Sequence, residues 1–117
     1  MPSEGLLGLA EGYLRTAQAA ASNADWPQAY ENARTAAELA AKHLLARNGI
    51  VAVAKEHDVA PLLVQANLWP GGAQGRRLSL FLGDYTRGIY DVHESVSRGD
   101  AERGIRMAQT VMEKGRA

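Results

Sequence analysis

The chain has 117 residues, thirteen basic and thirteen acidic side chains, and no cysteine. That length suits one domain, 1–117, with a real core, and it is too short for an enzyme with a separate substrate domain. Zero net charge excludes a global field that would attract nucleic acid or an anionic membrane, and the lack of cysteine excludes a disulfide framework and thiolate metal sites.

The first expected helix starts with Ser3 as its cap and Glu4 near the positive end of the helix dipole. Leu6, Leu9 or Ala10, Tyr13, Ala17 and Ala20 recur at helical spacing and form its apolar face. Gly5, Gly8 and Gly12 each weaken it by up to about 1 kcal/mol relative to alanine. Residues 22–25 make a polar turn so short that the next helix must run antiparallel to the first.

The stretch from Asp25 to Gly49 is the centre of the chain. Trp26, Tyr30, Ala33, Ala37, Ala40 and Leu44 alternate in steps of four and three, which is the stripe of an α-helix and fits no strand. Asp25 is its N-cap, Pro27 lies in the first turn where a missing N–H costs nothing, and Gln28 completes a capping-box pattern. Asn48 and Gly49 stop it. Because the stripe is mostly alanine, a neighbouring helix can approach more closely than across a leucine seam.

Ile50 to Ala54 is the longest uninterrupted apolar run and cannot span a bilayer, and no basic flank leads into a signal-like apolar core. No membrane association and a cytoplasmic location are therefore expected. The run itself fits either an extended segment or a loose helical turn. Asp58 is the expected cap of a short third helix with Pro61 in its first turn and Leu62, Leu63 and Ala66 facing inward. Trp69-Pro70-Gly71-Gly72 breaks the chain. A fourth helix from Ala73 or Gln74 carries Leu78, Phe81, Leu82 and Tyr85 on one face and ends or bends at Gly88. Tyr90 to Gly99 reads as a polar loop, and Asp100 caps a last helix with Ile105, Ala108, Val111 and Met112 inside. The expectation is an all-α fold: an up-and-down four-helix bundle with one additional short helix, five helices in all.

Several pieces, in order, resemble the HEPN domain, the nucleotide-binding helical module of higher eukaryotes and prokaryotes. AYENARTAAELAAKHLLARNG is similar to that family's second helix, with Ala36, Ala37, Glu38 and Lys42 matching its Ala-Ala-Glu and following Lys. KEHDVAPLL, with His57, Asp58, Leu62 and Leu63, looks like its entry into the third helix. DYTRGIYD followed by GDAERGIRMAQTVME is similar to its arginine-containing turn before an alanine-rich last helix. The likeness spans roughly residues 10–113.

The resemblance implies a homodimer associated with nucleotide or RNA and working beside a small nucleotidyltransferase, in a toxin-antitoxin-like pair. Some members cut RNA without metal through an arginine and a histidine with four to six residues between them. Here Arg87 and His93 are separated by five residues, making them the candidate catalytic pair. Arg87 with Tyr85 and Tyr90 is the candidate ligand-binding group. A histidine of unperturbed pKa about 6.5 can move protons at a 2′-hydroxyl or leaving oxygen near neutral pH, and arginine can grip a phosphate. One such pair offers few groups, so a symmetric dimer that doubles it is chemically sensible. Two features depart from the nuclease pattern: Gly88 follows the arginine where a polar residue is usual, and YDVHES does not match the helical turn around the family histidine. Three readings therefore stand: a nucleotide or RNA binding module, a metal-independent endoribonuclease using Arg87 and His93 across a dimer, and an adaptor dimer without a nucleic-acid ligand.

Other residues have simpler readings. Glu38 and Lys42, four apart, suit a surface ion pair. His57 and Asp58 suit a capping arrangement, and Trp26 and Trp69 suit core or interface anchors. His43, His57 and His93 lack metal-type spacing, and no Gly-rich phosphate loop follows a strand, so neither metal nor cofactor is expected. From Gly71 onward eight basic residues face six acidic ones, a weak excess. A shortage of large apolar residues in the first two helices leaves a thin core, which pairing two bundles would thicken.

Overall fold

An alanine-rich helix buries little side chain by itself and gains its stability from how closely its neighbours approach. The computed structural model describes residues 2–50, 56–84 and 96–117. These residues form α1 (Pro2–Ser22), α2 (Trp26–Arg47), α3 (Glu56–Gln65), α4 (Ala73–Gly83) and α5 (Arg98–Arg116), with no strand among them. The fold is the expected all-α bundle. α2 packs against all four other helices; α1 and α5 also meet each other, and α3 and α4 form a pair. Among the described residues, eleven of the twenty-two buried apolar side chains are alanine, including Ala33, Ala36, Ala37, Ala40 and Ala41 of α2.

Close approach is visible along α5. A Cβ placed on Gly104 would sit 3.2 Å from Phe81 and 3.4 Å from Tyr30, and one on Gly115 would sit 3.2 Å from the His43 ring. The inner face of α5 is Ala101, Gly104, Ala108, Val111, Met112 and Gly115. Ala108, Val111 and Met112 are inside as expected, whereas Ile105 is only half-buried at the edge of the core, and Gly104 beside it makes the close approach to Phe81 and Tyr30. On α1, Ala10 and Ala17 are buried as expected, whereas Leu9 and Tyr13 are exposed.

Three helices end in the same way. After α1, Ala24 has φ +57°, its N–H bonds to Ala21 O and the N–H of Asp25 bonds to Ala20 O. After α2, Gly49 has φ +77° and the N–H groups of Gly49 and Ile50 bond to Ala46 O and Leu45 O. After α3, Asn67 has φ +59° and the N–H groups of Asn67 and Leu68 bond to Val64 O and Leu63 O. Each is a Schellman motif, in which a left-handed residue turns the chain back to satisfy carbonyls that the helix leaves open.

Helix starts show where local signals compete. Asp25 caps α2 by accepting the Gln28 N–H at 3.3 Å, with Pro27 in the first turn as expected. The Gln28 side-chain oxygen accepts from Asn32 Nδ2 at 3.4 Å. α1 already includes Ser3, so that residue is not its cap. α3 begins at Glu56, which puts Asp58 inside the helix rather than before it and Pro61 in its interior. α5 begins three residues earlier than expected: Ser97 is the cap, accepting the Asp100 N–H at 3.1 Å while the Asp100 carboxylate accepts the Ser97 N–H at 3.1 Å. Asp100 thus completes a capping box instead of starting the helix, because Ser97 and Asp100 together satisfy two open N–H groups where Asp100 alone would satisfy one. α4 ends at Gly83 with Asp84 as its C-cap, and the expected contributions of Tyr85 and Gly88 lie outside the described residues.

Candidate functional site

One face of α2 carries Glu31, Arg34, Glu38 and Lys42 in steps of three, four and four, so their side chains line up along the helix. Arg34 Nη2 pairs with Glu31 Oε2 at 2.9 Å and Nη1 with Glu38 Oε1 at 3.1 Å, while Lys42 Nζ pairs with Glu38 Oε2 at 2.9 Å. Glu38 and Lys42 do pair as expected, but on a covered face: Arg34 and Glu38 are buried. Burial opposes the charge on Arg34, and the hydrogen bonds and opposite charges of Glu31 and Glu38 more than offset it, so its pKa is raised above the ordinary value.

The covering element is the end of α4. Arg34 Nη1 donates to the main-chain oxygen of Leu82 at 3.2 Å, and the Tyr30 hydroxyl donates to Asp84 Oδ2 at 2.8 Å. Tyr30 also meets Phe81 edge to face, with ring centroids 5.5 Å apart. A carbonyl in the last turn of a helix has no partner within that helix, and a guanidinium is well suited to supply one from outside. α2 therefore holds the point from which the chain enters residues 85–95.

A second set of polar residues lies between α4 and α5. One cleft of about 340 Å³ is lined by Tyr30, Arg77, Leu80, Phe81, Asp84, Asp100, Arg103 and Met107. A second, of about 320 Å³, is lined by Trp69, Gln74, Arg77, Arg103, Arg106, Met107 and Thr110. Arg77, Arg103 and Met107 line both, so the two form one groove. The groove is acidic at the Asp84–Asp100 end and cationic at the other, with an apolar floor. Guanidinium groups in this setting can hold a phosphate or carboxylate.

The family model described as HEPN domain matches residues 3–116. The chain belongs to the HEPN family. No curated protein matches it. At the level of the family, the chain is a nucleotide- or RNA-associated helical module.

The HEPN residues singled out from the sequence, Tyr85, Arg87, Tyr90 and His93, lie outside the described residues, as do the side chains of His57 and Asp58. The structure describes the attachments on either side of the 85–95 segment: the α4 end held by Tyr30 and Arg34, and the start of α5 closed by the Ser97–Asp100 capping box. Trp69 is an anchor, 6% exposed, with its indole N–H donating to Gln74 O at 3.3 Å and the Lys114 ammonium 5.5 Å above its ring. Trp26 is half-buried beneath the Arg98 guanidinium, 5.9 Å from the ring centre.

His43 is buried, and its Nε2 lies 3.0 Å from Gly115 O. A carbonyl can only accept, so that nitrogen carries the proton of the bond. Arg47 Nη1 donates to the same oxygen at 2.6 Å, which makes His43 part of the closure of the α5 end. Among the described residues no group of three or more His, Cys, Asp or Glu is placed to hold a metal ion, and no helix is long and apolar enough to cross a membrane.

Sequence reasoning missed Tyr30, Arg34 and Asp84 as a polar anchor. The alternating charges Glu31, Arg34, Glu38 and Lys42 were the available signal for a ladder on one helix face. Nothing local indicated that α4 would cover it.

Proposed function

We propose that this HEPN chain is a dimeric nucleotide- or RNA-associated binding module in which Arg87, flanked by Tyr85 and Tyr90, contacts the phosphate-bearing ligand. The observation that carries this reading is the family match over nearly the whole chain, combined with the sequence likeness of DYTRGIYD to the family's arginine-containing turn. The anchoring of the preceding helix end by Arg34 and Tyr30 supports it, since a side chain that must meet a ligand benefits from a rigid point of attachment. Exposed Leu9, Tyr13 and Leu80 provide apolar surface for a second copy or a nucleotidyltransferase-type partner. On this reading the chain works as one half of a toxin-antitoxin-like pair in the cytoplasm.

The test is incubation of the purified chain with RNA in the presence of chelator, alongside binding measurements with labelled RNA and nucleotide. Binding without cleavage, weakened in Arg87→Ala, is the expected result. Cleavage that survives chelation and disappears in His93→Ala would assign the endoribonuclease reading, in which the two Arg87-His93 pairs act across a dimer. A chain that binds neither RNA nor nucleotide, with Arg87→Ala indistinguishable from the parent, would leave an adaptor. Sedimentation at micromolar concentration reads the dimer directly, and a monomer there would contradict it.

A further inference from the structure

The groove between α4 and α5 brings together guanidinium groups that the chain keeps far apart in sequence: Arg77 on α4, and Arg103 and Arg106 one turn apart on α5. The cleft that contains all three has no carboxylate in its lining. Two other cations of α5 have carboxylate partners, Arg98 on Glu102 at 2.9 Å and Arg116 on Glu11 at 2.8 Å. Arg77 and Arg106 form no ion pair among the described residues, and Arg103 holds Asp100 at 2.7 Å through one Nη while its side chain remains 66% exposed. Like charges gathered around one concave surface repel one another, and an anion bound there relieves the repulsion.

We infer that this groove binds the sugar–phosphate backbone of single-stranded RNA, with Arg77, Arg103 and Arg106 on successive phosphates. It rests on the reading of the chain as RNA-associated and adds a surface distinct from the Arg87 segment. The guanidinium fork matches a phosphate's paired oxygens, and arginines three residues apart on a helix are about 4.5 Å apart along the axis, so neighbouring phosphates can follow α5. Met107 and the 74% exposed Leu80 supply an apolar floor on which bases can lie. Trp69 is too buried to act as a stacking platform and shapes the wall instead. At the far end the carboxylates of Asp84 and Asp100 repel phosphate, which ends the phosphate track there.

The measurement is fluorescence anisotropy of a labelled single-stranded oligoribonucleotide against the full chain over a salt series, with ATP as a separate ligand. Arg77→Ala/Arg103→Ala/Arg106→Ala is expected to weaken RNA binding by at least about 30-fold at low salt and to reduce the salt slope by about two, since each phosphate contact on a single strand contributes roughly 0.7. Removal of three exposed arginines elsewhere, Arg15→Ala/Arg76→Ala/Arg98→Ala, controls for lost charge, and thermal melting checks that each variant is folded. The inference is overturned if the triple variant binds within about threefold of that control, or if the groove arginines matter for ATP or for an acidic protein partner but not for RNA. If the triple variant binds like the control while Arg87→Ala abolishes binding, the groove is wrong and the proposed function stands. If the parent chain binds ATP but no RNA, the groove is wrong and the proposed function stands; if it binds neither, both fail.

Discussion

Arg34 on α2 donates to the main-chain carbonyl of Leu82, 48 residues further along and 3.2 Å away, while its other terminal nitrogen is held by Glu31 at 2.9 Å. A single buried guanidinium thus satisfies an open helix-end carbonyl and two carboxylates on its own helix. Arg34 and Lys42 together make burial of Glu38 tolerable. Removing one member of such a set leaves uncompensated charge in a covered place, and that costs more than the set contributes when intact.

Arg34→Ala should therefore lower the unfolding free energy by about 3 kcal/mol, read from urea denaturation at neutral pH. Arg34→Lys should recover only part of that loss, because an ammonium cannot reach Glu31, Glu38 and the Leu82 carbonyl in the same planar geometry. A change below about 0.5 kcal/mol in the alanine variant would show that the ladder is stabilised by something else.

Ala24 holds a left-handed conformation, φ +57°, at a position where glycine is usual and Cβ is unfavourable. Ala24→Gly should stabilise the chain by up to about 1 kcal/mol, and Gly49→Ala at the equivalent position after α2 should destabilise it by a similar amount. Thermal melts of the two single variants, shifting in opposite directions, would test the shared geometry.

Gly104 and Gly8 are both helical glycines, and the space around them is opposite. A Cβ on Gly104 meets Phe81 at 3.2 Å, whereas one on Gly8 meets nothing within 4 Å. Gly8→Ala should gain helix propensity of up to about 1 kcal/mol without a steric penalty. Gly104→Ala gains the same propensity against overpacking of about 1–3 kcal/mol, so a net loss is expected, and Phe81→Leu in the same chain should relieve part of it. Equal effects from the two alanine substitutions would argue that α5 does not approach α2 and α4 so closely.

The hydrogen bond from Arg98 Nε at 2.9 Å holds the Glu102 carboxyl below its ordinary pKa, with Arg98 and Arg106 adding charge attraction. A folded-state pKa that is depressed contributes stability above the unfolded-state value and loses it as pH falls through the folded value. The difference in stability between parent and Glu102→Gln should therefore be present at neutral pH and fade in the acid range below the ordinary glutamate value. Because the pair is solvent-exposed, it should also shrink as salt is raised toward 1 M, where screening acts over about 3 Å. A difference that persists unchanged at low pH would mean the glutamate acts through packing rather than charge.

Much of the fold was legible because its signals are local. The alanine stripe of α2, the Asp25 cap, the Asn48-Gly49 stop and the break at Trp69 to Gly72 all depend on residues within a turn or two of each other, and each appears where expected. Cap positions were less secure where two good candidates stood close together. Ser97 and Asp100 are both strong cap residues, and their three-residue spacing was itself the clue that they act jointly. On α5, Ala108, Val111 and Met112 face inward as expected, while Ile105 lies at the edge and Gly104 and Gly115 make the close contacts that periodicity of large residues does not reveal.

By itself, the sequence determined that the chain is helical, where α2 starts and stops, and which family it joins, because periodicity, caps and ordered motifs are written in near neighbours. Tertiary structure decided that Arg34 and Glu38 are covered rather than exposed, that Tyr30 meets Asp84, and that Arg77 shares a groove with Arg103 and Arg106. Those outcomes depend on which helix faces come together across 26 to 54 residues of chain. No local pattern encodes that pairing; the closeness allowed by alanine and glycine at the helix crossings does.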